Sequence, residues 1–213
     1  MNPSWSNLPA VVLLIAALTA CGSSGRKPDE PHVSSGTERI TAQGVAALVA
    51  EHLGAENVRR YLTYGEEEGS VDVMVQLRGA DRRDMFVVGV ASPDQAGQEY
   101  HGFTKLDCAR MKGQGGRRGG RLWCEDLANG GVTFVERTPY GFSDDNTEGR
   151  TLMGLAAEPD GRLANALYES YTPTVPIDPE DLLALMADER LAWSTDPSVN
   201  EAGRDINVRL MAG

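Results

Sequence analysis

VDVMVQLRGADRRDMFVVGVA, residues 71–91, decides the fold class of this chain. Val71, Val73, Val75 and Leu77 alternate with the polar Asp72, Gln76 and Arg78, the pattern of a half-buried strand. Gly79-Ala80-Asp81 supplies a turn. Met85 to Ala91 is apolar on both faces, as a central strand is. Strands joined by so short a turn pair antiparallel.

Further strands are expected downstream. Phe103 to Arg110 and Arg121 to Leu127 place Leu106 with Cys108, and Leu122 with Cys124, at period two. Asn129-Gly130-Gly131 is a hairpin signal ahead of Val132 to Arg137. Arg150 to Ala157 and Arg162 to Tyr171 flank the turn Pro159-Asp160-Gly161. Glu66-Glu67-Glu68 reads as a solvated turn.

Helices bracket the strands. Ala42 to Leu53 carries the stripe Val45, Leu48, Val49 and Leu53, with Thr41 as N-cap and Gly54 as C-terminal stop. Ile40 and Val45 occupy staple positions. His52 lies at the edge of the stripe and reads as a partly buried, hydrogen-bonded residue. The last helix runs from Pro179 to about Asp188, with Asp178 as N-cap and Pro179 at the first helical position. Glu180 and Asp181 suit its dipole, and Leu182, Leu185 and Met186 form its apolar face, with Trp193 packing just beyond. The fold class is therefore α+β: an antiparallel sheet of about six or seven strands flanked by an N-terminal and a C-terminal helix. An open barrel closed by the helices is the alternative. This single domain spans residues 40–195, and residues 196–213 form a weakly patterned tail.

The 213 residues contain Lys+Arg 20 against Asp+Glu 31, a formal net charge of −11. A phosphate backbone repels such a chain, so nucleic acid is not an expected partner. The hydrophobic share of 41% is that of a globular protein. An aromatic share of 6% is low for a sugar-binding surface of stacked rings.

Leu8 to Ala20, LPAVVLLIAALTA, is too short to span a bilayer and has the length of a signal-peptide core. It ends in Leu18-Thr19-Ala20-Cys21, followed by Gly22-Ser23-Ser24-Gly25. This stretch resembles the lipobox of bacterial lipoproteins. The resemblance implies cleavage after residue 20 and a lipid on Cys21. Met1 to Asn7 hold no Lys or Arg, a departure from the usual basic start. Residues 1–20 are then a signal peptide and residues 21–39 a flexible tether reaching about 25 Å. Two acyl chains hold a protein on a membrane where one does not. The expected location is the extracytoplasmic face of the cell membrane. The lipobox, the bias to Arg over Lys and the Ile-Asp-Pro-Glu-Asp-Leu-Leu helix after a sheet resemble small lipoproteins of high-GC Gram-positive bacteria. That group has no catalytic residues to carry over.

Outside the lipobox stand Cys108 and Cys124. Two cysteines in an exported chain most often pair. A hairpin of the strands that bear them would bring the thiols together, stabilising by about 3 kcal/mol on the chain-entropy account. Without a nearby His they make a poor zinc set, and neither metal nor cofactor is expected.

No catalytic motif stands out. Ser143 in Gly141-Phe142-Ser143 lacks the second glycine of a hydrolase elbow. Asp144, Asn146, Glu148 and Gly149 copy the opening of a calcium loop, but Leu155 stands where the closing Glu belongs. His32, His52 and His101 have no visible carboxylate partner. The least ordinary segment is Lys112 to Arg121. Its Lys112, Arg117, Arg118 and Arg121 sit among glycines and are candidate contacts for an anionic envelope polymer or an acidic protein. The expected function is a non-enzymatic envelope lipoprotein that binds a partner or ligand. The alternatives are a carrier of an apolar small molecule or lipid between sheet and helices, and a hydrolase with an unrecognised site.

Overall fold

The computed structural model describes residues 36–66, 69–100, 107–115, 121–127, 131–141, 148–159, 161–172 and 174–211. Its elements in chain order are β1 (Glu38–Arg39), α1 (Ala42–Leu53), β2 (Val58–Glu66), β3 (Ser70–Leu77), β4 (Met85–Ala91), α2 (Pro93–Tyr100) and α3 (Cys108–Gly115). Then follow β5 (Arg121–Asp126), β6 (Val132–Gly141), β7 (Glu148–Ala157), β8 (Leu163–Ser170), α4 (Pro179–Ala187), β9 (Ser194–Thr195), α5 (Pro197–Gly203) and β10 (Val208–Leu210). The fold is α+β. Eight strands form one sheet in the order β10-β2-β3-β4-β8-β7-β6-β5, and β1 pairs with β9.

The alternation at 71–77 is realised residue by residue, with Val71, Val73, Val75 and Leu77 buried. Met85–Ala91 is central, held between β3 and β8. Val73, Val88, Ala166, Gly154 and Val135 fall in one row across five strands. The helices α1 and α4 lie over this face through Val45, Leu48, Val49, Leu182, Leu185 and Met186, all at most 1% exposed. Burying such side chains is worth about 1.5–3 kcal/mol each before entropy is subtracted. Both helices begin at the expected caps. Gly44 N donates to Thr41 Oγ1 at 3.1 Å and Glu180 N to Asp178 Oδ1 at 2.9 Å.

Several expectations are corrected or refined. Phe103–Arg110 is not a strand where it is described: Cys108 opens a helix, with Met111 N donating to Asp107 O at 3.0 Å. Two alternating residues were too few to fix a period, and Cys-Ala-Arg-Met-Lys favours helix. The expected sheet of about six or seven strands has eight, as Val58–Glu66 and Val208–Leu210 join it. It is not wholly antiparallel, since β10 runs parallel to β2. The weakly patterned tail holds regular elements over residues 197–210: Asp196 caps α5 through Ser198 N at 2.8 Å, and β10 follows. Glu38 and Arg39, assigned to the tether, pair with Thr195 and Ser194.

Candidate functional site: an arginine-lined groove

The chain contains two Arg-Arg pairs, Arg59-Arg60 and Arg82-Arg83, among the described residues. The fold brings them to the same end of the sheet. In a regular strand, Val58 and Tyr61 would face opposite ways. The β2–β3 ladder instead shifts register: Val58 lies opposite Leu77 and Arg60 opposite Gln76, leaving Arg59 as the extra residue of a bulge. The bulge lets Val58 and Tyr61 both turn inward, and it exposes Arg59 and Arg60 together. Arg60 Nε donates to Gln76 Oε1 at 2.7 Å. The Arg59 side chain has no hydrogen-bond or ion-pair partner among the described residues.

The β3–β4 turn supplies the other wall. Gly79 takes φ +79°, a left-handed conformation that favours glycine. Asp81 Oδ1 accepts from Arg83 N at 2.9 Å and Arg83 Nε at 3.2 Å, and those bonds hold its carboxyl below the usual range. Arg82 is left exposed on the turn. Asp84 ties the turn to β8, accepting from Tyr168 Oη at 2.6 Å and Tyr171 N at 2.9 Å. Burial, then the Asp84 contact, push the Tyr168 hydroxyl well above its ordinary pKa. Between these walls lies a groove of about 360 Å³, lined by Arg59, Arg60 and Arg82 together with Gln76, Asp81 and Asp84 and the half-buried Ala80.

The residues singled out from sequence lie elsewhere. Lys112 is exposed on α3. Arg121 opens β5, and its guanidinium stacks 4.9 Å over the Trp123 ring, which Arg137 also approaches at 5.7 Å. Cys21, Arg117 and Arg118 lie outside the described residues, as do His32, His101, Ser143, Asp144 and Asn146. Cys108 and Cys124 come together at disulfide distance, with Cα atoms 5.6 Å apart. They join the start of α3 to β5 rather than two strands of a hairpin. The calcium-loop reading fails where it can be followed, because Glu148 to Leu155 is continuous strand and Leu155 pairs with Phe134. Among the described residues no group of three or more His, Cys, Asp or Glu side chains could hold a metal.

His52 does have a carboxylate partner. Its Nε2 lies 2.8 Å from Asp188 Oδ2, joining the end of α1 to the end of α4. Arg190 holds the same carboxylate, with Nη2 at 2.7 Å, and also reaches Glu51 Oε1 at 2.8 Å. Burial raises the Asp188 pKa, but the bonds from Arg190 and His52 outweigh it and hold the group at about 2. Both carboxylate oxygens are thus committed, and the cluster is a clamp between helices. A carboxyl depressed from 3.8 stabilises the fold above its unfolded pKa, and that contribution is lost as pH falls towards 2. About 2 kcal/mol is expected to disappear over that window. Urea unfolding at stepped pH should show Asp188→Asn less stable at pH 7 and lacking that part of the acid slope.

Compared with protein-family models and with curated proteins, the chain matches none. The fold and groove define a class only, an α+β domain with an arginine-lined concavity on a chain of net charge −11.

Proposed function

We propose that this chain is a non-enzymatic cell-envelope lipoprotein, held at the extracytoplasmic face by a lipid on Cys21, whose folded domain binds an envelope partner or ligand. The lipobox-like Leu18-Thr19-Ala20-Cys21 after an apolar run carries the reading. The Cys108–Cys124 pair at disulfide distance supports it, because oxidising compartments favour such pairs. No helix among the described residues is long and apolar enough to cross a membrane. Surface binding is favoured over carriage of an apolar molecule by the packing. Tyr168, Phe86, Leu48, Leu182, Leu185 and Met186 fill the space between sheet and helices, each at most 1% exposed.

Mass spectrometry of the membrane-derived protein tests this. A polypeptide beginning at Cys21 with a diacylglyceryl mass, and a Cys108–Cys124 linkage without reductant, are expected. Cys21→Ser should abolish the lipid mass and membrane retention. An intact, unmodified residue 1–21 segment in the native protein would overturn the reading.

A further inference from the structure

We infer that the groove bordered by Arg59, Arg60 and Arg82 is a binding site for a phosphate monoester. The inference names a ligand class for the binding role proposed above, and it rests on geometry that does not depend on the lipid at Cys21. On a chain of net charge −11, three arginines line one concavity. Two acids, Asp81 and Asp84, also line the groove and offset the three arginines only in part. Asp81 is engaged by Arg83, and Asp84 by Tyr168 and Tyr171. Arg60 is oriented by Gln76 through Nε, which leaves its outer nitrogens to point elsewhere. The bulge that exposes Arg59 beside Arg60 breaks the β2 ladder at the point where the groove forms.

The donor set favours phosphate over carboxylate. Each guanidinium offers a planar fork with five N–H donors, and two oxygens of one carboxylate cannot accept three forks. A phosphate monoester presents three terminal oxygens and up to two charges, and it takes bidentate bonds from several arginines. The groove's volume of about 360 Å³ exceeds what one bare anion fills. The half-buried Ala80 in the lining supplies apolar surface for the carbon part of the ester. The same headgroup chemistry occurs in soluble sugar or glycerol phosphates and in phosphatidic lipids.

Calorimetric titration separates these sources. The full chain in neutral detergent micelles at low salt is titrated with glycerol 3-phosphate, with succinate, and with phosphatidic acid added to the micelles. Saturable binding of glycerol 3-phosphate is expected, at least about tenfold tighter than succinate and weakened by added salt. Binding of phosphatidic acid alone would place the ester on a lipid and still support the site. Arg59→Ala with Arg82→Ala should weaken binding by about tenfold or more without moving the thermal midpoint, since both side chains are exposed. Arg204→Ala, an exposed arginine paired with Glu201, should change nothing. Binding of neither phosphate ester, equal binding of succinate, or equal affinity in the double variant would overturn the inference. None of these outcomes depends on whether Cys21 carries lipid, so failure here and failure of membrane anchorage are read separately.

Discussion

Gly203→Ala is expected to destabilise the protein by about 3 kcal/mol, although alanine is the better helix former by about 1 kcal/mol. Gly203 ends α5 where that helix meets the start of α1. A Cβ placed there would lie 2.2 Å from Gln43 O and 2.4 Å from Gln43 C. The obstruction is backbone, so no rotamer change relieves it, and α5 must move away. That movement breaks a clamp. Asn200 Oδ1 accepts from Thr41 N at 2.9 Å and Thr41 Oγ1 at 3.0 Å, while Asn200 Nδ2 donates to Arg39 O at 2.9 Å. The strand β10, which follows α5, would lose its seat beside β2. Two measurements check this: the urea midpoint should fall, and amide exchange at Val208–Leu210 should accelerate relative to β4. A midpoint raised by the alanine would mean that α5 does not pack closely on α1.

That contact also shows where the sequence is legible and where it is not. Residues 71–77 and 163–170 read as strands because one face is buried and the other is not, so burial imprints itself as alternation. The capped helices read well because Thr41 and Asp178 satisfy local backbone groups. Asp196-Pro197 repeats the Asp178-Pro179 signal, so the start of α5 was available to the same reasoning. What hid the tail is that its elements are short and its energy lies in long-range contacts such as Gly203 against Gln43. Strand β2 was hidden by its bulge, which puts Val58 and Tyr61 on one face and breaks the period. The groove vanished with it. Arg59-Arg60 and Arg82-Arg83 signal a shared site only once β2 is known to pair with β3. The glycine-rich segment at 112–121 stands out because its charges are close in sequence, yet Arg121 spends its guanidinium on Trp123.

Arg162→Ala should cost about 3–5 kcal/mol, a large fraction of the 5–15 kcal/mol typical of a domain. Arg162 sits just after the tight turn between β7 and β8, with its side chain 5% exposed. It forms a buried ion pair with Glu158, whose side chain is also 5% exposed. Its other nitrogens reach the end of α4 and the segment after it: Nη2 donates to Met186 O at 2.8 Å and to Asp188 O, and Nε to Leu191 O at 3.1 Å. A helix C-terminus leaves carbonyls without intrahelical partners, and one arginine satisfies those that α4 buries against the sheet. Truncation therefore removes the cation paired with Glu158 and a donor from each of three carbonyls in one step. The same residue locates Asp188, whose carboxylate anchors His52 and Arg190, so α1 should loosen with α4. Arg162→Lys keeps the charge but presents a compact ammonium instead of a fork, and it should recover only part of the loss. Chemical denaturation of the two variants at pH 7 gives the ranking wild type, lysine, alanine. A loss below about 1 kcal/mol for alanine would show that water replaces the guanidinium at little cost, and that α4 is held by its apolar face alone.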